Sequence, residues 1–495
     1  MVRDLAPAPQ RLLADLDAEG IVYCHWKSNS HLSAALDGHT DLDLLFDNAQ
    51  IGLVHRNLAE SGYKRFVTHP SRAYPGMEDY LGVHPVTGTL VHLHVHYRLA
   101  IGQRHMKNYR LSWEDEVLGT RTLDPTGVFT AEPGHEWLLL VIRAAMKIRG
   151  RDRLRSLFGA KAVPAELVEE HRWLASRADK SLPGQIAADL LDEQTATLVS
   201  RCVDSDLGFG ELLRLRRRLR QALKGQRAYD TLAASIVRAR REMRWALGSV
   251  NRKSVRRPYP YARSPAGGGL VLALIGGDGS GKSTIANELY GWLEGKVDVL
   301  PIYFGSGKGR ASWLRFPLDL MRKVLRRSRR ATRGSDGTAV MSDEHGALVR
   351  AVWALVLARE KRLKIRRSIK ARERGFIVIC DRFPQTQVSG MIDGTLLDHW
   401  MSSESKLLRS LARWEADSYT LADTYPPDLV IRLDVTSETA ASRRPEAHRP
   451  VLDHRRQVVE SLMFKNARFG LRSLDANRDL DDVLLDVKHA LWEAI

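Results

Sequence analysis

Cysteine is scarce. Cys24, Cys202 and Cys380 are the only 3 in 495 residues, and no two stand close enough to form a paired motif. A disulfide framework and a cysteine-based zinc site are thereby excluded as organising devices. Apolar runs are also short: none approaches the roughly 20 residues that a spanning helix needs. The opening stretch, Met1 to Gln10, is polar and proline-containing and lacks the basic-then-apolar order of a secretion signal, so a cytoplasmic chain is expected. Aromatic residues are few, at 7%, and do not interleave with the arginine runs, as base stacking on nucleic acid would require.

Positive charge is plentiful. Lys and Arg number 76 against 59 Asp and Glu, a formal net charge of +17. Such a surface attracts polyanions, whether phosphate-rich ligands, nucleic acid or an acidic membrane face. The 44% hydrophobic content is that of globular protein. The length suggests about two to four domains.

One stretch carries chemistry on its face. Leu270-Val271-Leu272-Ala273-Leu274-Ile275 runs into Gly276-Gly277-Asp278-Gly279-Ser280-Gly281-Lys282-Ser283-Thr284, and Ile285, Leu289, Trp292 and Leu293 follow at helical spacing. This reads as strand, glycine loop and helix, with Gly276, Gly281, Lys282 and Ser283 in the G-x-x-x-x-G-K-[ST] positions. Glycines let backbone N–H groups converge on phosphate oxygens at a helix N-terminus. Lys282 can reach terminal phosphates, and the Ser283 hydroxyl can ligate Mg²⁺. A nucleoside triphosphate, ATP with Mg²⁺, is the expected ligand.

Downstream, strands and helices alternate. Val299 to Phe304 reads as a strand that opens into Gly305-Ser306-Gly307-Lys308-Gly309, a loop suited to a second anionic group. A basic amphipathic segment, Trp313 to Leu325, runs into Arg326-Arg327-Ser328-Arg329-Arg330. Solvated surface, a lid and a docking patch stay open there. A long helix, Gly346 to Arg374, precedes Phe376-Ile377-Val378-Ile379-Cys380-Asp381, an apolar strand whose final carboxylate can order Mg²⁺ beside the phosphate loop. Asp428 to Val435 reads as another strand, Thr436 as the cap of the helix bearing Arg443 and Arg444, and Leu474 to Asn477 as a last strand and turn where adenine could lodge. Such alternation predicts an α/β fold, a parallel sheet flanked by helices.

In this order, the phosphate loop, Asp381-Arg382-Phe383 and Pro427 to Val435 resemble the thymidylate kinases among the nucleoside monophosphate kinases, from about Leu270 onward. The resemblance implies that Asp278 contacts the acceptor, Asp381 orders Mg²⁺ and Arg382 holds the acceptor phosphate. It also implies a catalytic cation from a lid, where Arg443, Arg444 and Arg449 stand, because Gly279 and Ser280 replace the loop arginine of some members. This chain departs from the family at Gly305 to Gly309, in place of an Arg-Glu-Pro turn, and at Met391, in place of a Gln.

The first third is different. Asp41-Leu42-Asp43-Leu44-Leu45-Phe46 reads as a strand with Asp41 and Asp43 on one face, where two carboxylates can share a divalent cation. Leu90 to Tyr97 reads as a second strand with His92, His94 and His96 on one face. If the strands are neighbours, carboxylates and imidazoles face each other. Lys27-Ser28-Asn29-Ser30 followed by Asp41-Leu42-Asp43 resembles the nucleotidyltransferase superfamily, with His92 where a third carboxylate is usual. An active transferase and a degenerate domain with a structural acidic pair both stay open. Glu136 to Trp245 reads as helical and connective, with arginine runs at Arg216-Arg217-Arg218 and Arg238 to Arg244.

The expected organisation is a nucleotidyltransferase-like α+β domain at 1–130, a helical domain at 131–250, a linker at 251–269 and a kinase-like domain at 270–495. The expected activity is transfer of the ATP γ-phosphate to a small phosphorylated acceptor, dTMP being the best-named one. The alternatives are nucleotidyl transfer by the first domain and an ATP-dependent scaffold. Polyanion or membrane-surface contact through the basic helices, and a homodimer, complete the expected partners.

Overall fold

The chain divides after Arg257, inside the stretch of linker composition, into Met1–Arg257 and Pro258–Ile495. The computed structural model describes residues 6–149, 152, 163–255, 257–305, 343–445 and 449–495. Loop residues 306–309 and the basic tract 326–330 lie outside them.

In the first unit, helix α1 (Pro9–Ala18) leads into β1 (Tyr23–His25), α2 (Leu32–Leu36) and β2 (Leu42–Phe46). Helix α3 (Ile51–Glu60), β3 (Lys64–Thr68), β4 (Met77–Val83) and β5 (Leu90–His96) follow, then a hairpin of β6 (Leu99–Gln103) and β7 (Met106–Leu111). Helix α4 (Glu114–Gly119), β8 (Thr122–Leu123) and β9 (Phe129–Thr130) complete this part. Its strands lie in the order β3-β4-β5-β2-β1-β9-β8. The sheet is mixed: β2 runs parallel to β5 with Asp43 opposite His94, while β4 runs antiparallel to β5. Every residue of β2 is buried, including Asp43. A charge placed in such a strand must find its partners inside the protein.

Among the described residues six helices follow: α5 (Pro133–Lys147), α6 (Ala165–Ala175), α7 (Leu182–Leu190), α8 (Glu193–Val203), α9 (Phe209–Ala222) and α10 (Thr231–Val250). Proline at the first turn and Glu132, which accepts from the N–H groups of Gly134 and His135, start α5. Its Trp137 to Ile142 run is buried throughout and anchors a core shared with Leu174, Val199, Leu215 and Leu219.

The second unit opens with β10 (Arg263–Pro265) and β11 (Leu270–Gly276), then α11 (Lys282–Leu293), β12 (Val299–Tyr303) and α12 (Asp343–Glu373). Strand β13 (Ile377–Asp381), α13 (Lys406–Thr424), β14 (Leu429–Asp434), α14 (Ser437–Arg443), α15 (Arg449–Ser461), β15 (Leu471–Asp475) and α16 (Leu480–Ala494) complete it. Strands β11 and β13 are buried at every position, which only a sheet covered on both faces allows. The sheet is parallel, in the order β12-β13-β11-β14-β15. It bears out the expected α/β architecture. The order places β11 beside β13, with Leu274 level with Asp381, so the glycine loop and that carboxylate leave the same edge of the sheet.

Candidate functional site

The loop between β11 and α11 takes a backbone course that glycine permits. Gly276 sits at φ +156, and a Cβ there would stand 2.6 Å from Ser280 Oγ and 2.7 Å from the Leu433 carbonyl oxygen. Gly281, left-handed at φ +84, turns the chain into α11. The loop thus brings its N–H groups toward the first turn of α11, the position where phosphate binds in such loops.

Lys282 lies buried in this turn, its Nζ donating to the Gly277 carbonyl at 2.6 Å and to Ser280 Oγ at 3.1 Å. Burial, with Arg382 nearby, pulls its ammonium down to about 8. Ser283 Oγ donates to Asp381 Oδ2 at 2.5 Å. The other oxygen, Oδ1 of Asp381, is buried without a hydrogen-bond partner among the described residues. A hydroxyl and a carboxylate with a spare buried oxygen are hard donors, and that set fits Mg²⁺. Thr284, next in the helix, is exposed.

Asp278 joins two cations. Its Oδ1 stands 3.2 Å from Arg382 Nη2, and its Oδ2 accepts from Arg455 Nη1. Burial alone would push this carboxyl up, but Arg455, Arg382 and Lys282 outweigh it and hold Asp278 below the usual carboxylate range. Arg382 itself adopts a left-handed φ of +70, uncommon for a side chain of its size. Its Nη1 lies 3.7 Å from Asp393 Oδ2.

Asp393 belongs to a strained loop. Ile392 and Asp393 have φ of +43 and +63, and a β-branched residue in that region is a marked outlier. Two groups hold it there. Gln385 Nε2 donates to the carbonyls of Val388 at 2.8 Å and Met391 at 2.9 Å, and Lys361 Nζ lies 3.2 Å from Asp393 Oδ1. Met391, at the position where the resemblance leads one to look for a Gln, contributes its backbone to this knot and lines the cavity beyond it. Gln385 supplies the amide, from six residues nearer the strand.

Asp278, Ser283, Asp381, Arg382, Arg444 and Arg455 open onto one cavity of about 1140 Å³. Tyr303, level with Asp381 on the neighbouring strand, and Trp353, Lys361, Met391, Trp400 and Tyr419 also line it, a mixture of flat aromatic rings and one ammonium. Gly305 reaches it as well. Of the expected lid cations, Arg444 lines the cavity, and Arg443 Nη1 donates to the Gly279 carbonyl at 3.3 Å. Arg449 is not among the residues around it. Sequence reasoning missed Arg455, Lys361, Asp393 and Gln385, because no motif marks them. His454-Arg455-Arg456 reads as one more exposed basic run until the fold turns α15 toward the loop. Asn477 is used internally: its Oδ1 accepts from the Thr436 N–H at 3.0 Å, while the Thr436 side chain caps α14.

In the first unit, Asp41 and Asp43, expected to share one cation, meet different side chains. Asp43 Oδ1 is met by Lys27 Nζ at 2.6 Å, His94 Nδ1 at 3.0 Å and His96 Nε2 at 3.2 Å. Asp41 instead meets His92 Nδ1 at 2.8 Å, and the His92 Nε2 stands 2.7 Å from Asp79. The physical reason is burial. Asp43 points into a dry sheet face and draws in the nearest cation, while Asp41 stays half in water. The set with donor atoms close enough to hold an ion is Asp43, His94 and His96, without Asp41. Burial opposes ionisation of Asp43, but Lys27 and the two histidines keep its carboxyl well below the usual range. Burial conversely lowers the Lys27 ammonium.

The Lys27 to Ser30 turn is equally self-contained. Ser28 is left-handed at φ +61, and Asn29 donates from its N–H and Nδ2 to Glu136 at 2.9 and 2.7 Å. Burial pushes the Glu136 carboxyl up to about 7. Asp79, on β4, is a carboxylate that the sequence reading did not single out.

No family model matches the chain. It is 28% identical over 229 residues to an uncharacterized ATP-binding protein, YghS, of Escherichia coli (strain K12), covering 46% of this chain and 93% of the relative. A second, YghR of the same organism, is 27% identical over 224 residues, covering 45% of this chain and 86% of the relative. A thymidylate kinase of Leifsonia xyli subsp. xyli is 27% identical over 238 residues, 44% of this chain and 93% of the relative. Among solved structures, deoxyadenosine kinase from M. mycoides with bound dATP matches 45% of this chain and 99% of its own at 16% identity, with a TM-score of 0.25. The sequence relatives, joined to the strand–loop–helix geometry, support a kinase-like P-loop domain; none bears a name that points to a nucleotidyltransferase.

Proposed function

We propose that the second unit is an ATP-dependent phosphotransferase that moves the γ-phosphate to a small phosphorylated acceptor, a nucleoside monophosphate, with dTMP the first candidate. One observation carries this reading: Asp278 of the phosphate loop, the Asp381 carboxylate and the Arg382–Arg455 pair all open onto one cavity that aromatic rings also line. Donor and acceptor share a chamber there, as direct transfer demands. The names of the relatives, two ATP-binding proteins and a thymidylate kinase, favour the same donor and reaction class.

The steps follow from the side chains. Lys282 exchanges the Gly277 carbonyl for donor phosphate oxygens, a charge-assisted bond in place of a neutral one. Ser283 and Asp381 would hold Mg²⁺, which when bound neutralises charge on the transferred group. Arg382 and Arg455 turn from Asp278 to the acceptor phosphate, and the tied 390–394 loop keeps Arg382 in place. An acceptor phosphate oxygen then forms a bond to the γ-phosphorus as the bond to the β-phosphate oxygen breaks, releasing ADP. Arg444, on the cavity wall, supplies positive charge to the equatorial oxygens as they load. The rings of Trp353, Trp400 and Tyr303 offer faces for a planar base.

The first unit does not carry a second reaction in this reading. There the Lys27 ammonium sits on Asp43 while Asp41 meets His92, so the two carboxylates have separate partners. The test is incubation of the full chain with ATP, Mg²⁺ and a panel of nucleoside monophosphates and sugar phosphates. ADP and a doubly phosphorylated product support the proposal. Pyrophosphate release would move the chemistry to the first unit, and ATP binding without turnover would make the protein a scaffold or switch.

A further inference from the structure

Helix α10 is inside out. Soluble helices bury their apolar stripe and expose their polar one, yet α10 buries only Gly248 of its 20 residues. Leu232, Ile236, Met243, Leu247 and Val250 are 73, 61, 59, 64 and 58% exposed. With the exposed Ala239, they fall within about 80° of arc at about 100° per residue, a single continuous stripe.

The opposite face is polar and holds the helix to its own unit. Arg238 Nη1 donates to Gln103 Oε1, Arg241 lies 5.4 Å over the Tyr74 ring, and Trp245 stands 5.5 Å from His105. Ala234 and Arg238 also border a cavity of about 250 Å³ lined by Arg220 and Arg227. The helix is thus fixed by arginine and tryptophan with its greasy side turned away. It is held in place for something outside.

We infer that α10 lays this stripe on an anionic lipid surface. Charge selects the occupant. Arg240 and Arg244 stand along one edge of the stripe, both exposed and without a carboxylate partner among the described residues. The helix carries 4 arginines and the single acid Glu242, which is engaged by Arg149 at 3.7 Å. The chain as a whole bears +17. An apolar face with arginine along its edge and on its polar side is the pattern of helices that lie in the headgroup plane. Such charges add attraction to acidic lipids. The spacing argues in the same direction. Strict heptads would call for the large residue at 246 rather than 247, so the stripe follows a straight helix, matched to a flat surface more than to a supercoiled partner. Among the described residues no helix is long and apolar enough to cross a membrane, so the contact is with the surface.

The experiment is co-sedimentation of the full chain with phosphatidylcholine vesicles, with and without added phosphatidylglycerol. Pelleting is expected with the anionic vesicles alone. Replacing Ile236→Asp and Leu247→Asp together should lower the bound fraction about tenfold, with an unchanged melting temperature because both side chains are exposed. Arg240→Gln with Arg244→Gln should weaken binding less and mainly at low salt. Equal pelleting of the Ile236/Leu247 double variant would overturn the inference by assigning the effect to charge elsewhere. So would absence of pelleting, or a lipid-free dimer in sedimentation velocity that the same variant dissolves.

Discussion

Asp43 and Asp381 are both buried carboxylates on β-strands, yet the protein treats them in opposite ways. Asp43 accepts from Lys27, His94 and His96, all on one oxygen, and its charge is balanced within the fold. Asp381 receives one hydroxyl and keeps a buried oxygen unpaired. A carboxylate with three internal partners has its charge compensated by the fold, whereas one left with an unpaired buried oxygen beside a phosphate loop has a donor to spare. In sequence each is an aspartate on an apolar strand, Asp43 within it and Asp381 at its end, and each reads as a candidate for a divalent cation.

The comparison can be broken most directly at Asp43. Asp43→Ala leaves the Lys27 ammonium buried and unpaired, which should destabilise the first unit by about 3–5 kcal/mol in denaturant titration. Replacing Lys27→Met and Asp43→Leu together should restore most of that loss, because an apolar pair needs no compensation. A first unit indifferent to Asp43→Ala would show its site to be as open as the other.

Next in size is Lys282→Ala. Phosphate transfer should fall about 10²–10³-fold, or about 3–4 kcal/mol in the barrier, with the melting temperature little changed. Unchanged turnover would sink the phosphotransferase reading. A smaller effect is expected at the strained loop. Gln385→Ala frees Ile392 and Asp393 to relax, and with them Arg382, so acceptor KM should rise with a cost of about 2 kcal/mol while donor KM holds. Equal rises in both would place the knot outside acceptor binding.

The smallest expected effect is a pH dependence. Burial holds Lys282 at about 8 in the free protein. Phosphate oxygens would raise it, so binding takes up a proton above pH 8 and none well below. Donor affinity should therefore fall as pH rises above about 8, by up to about tenfold per unit, or about 1.4 kcal/mol. Calorimetry in buffers of different ionisation enthalpy reads the proton directly. For stability the sign is reversed. The lowered ammonium binds fewer protons folded than unfolded between about 8 and 10.5, so its unfavourable contribution is relieved as pH rises through that window.

Much of the second unit was legible beforehand. Short apolar runs alternating with helical segments read as interior parallel strands, and the glycine loop is fixed by local geometry over nine residues, so both show in sequence. Arg455, Lys361, Asp393 and Gln385 were not legible, since each reaches the cavity from a separate element and none has a local pattern. In the first unit, strands β2 and β5 were foreseeable from alternation, but their adjacency and the pairing of their charges were not. Asp41 and Asp43 share a face by period, and burial then sends them to different partners.

The sequence by itself determined a phosphate-binding turn at 276–284, a carboxylate at the end of a neighbouring strand and a strongly basic surface. These rest on contacts within a few residues or on composition, where chain order and spatial order coincide. Only the tertiary structure decided which arginines face the loop, which aspartate pairs with a lysine, and that α10 turns its apolar side outward. Those outcomes depend on which groups lose their water together, and that is settled by the packing of elements distant in the chain.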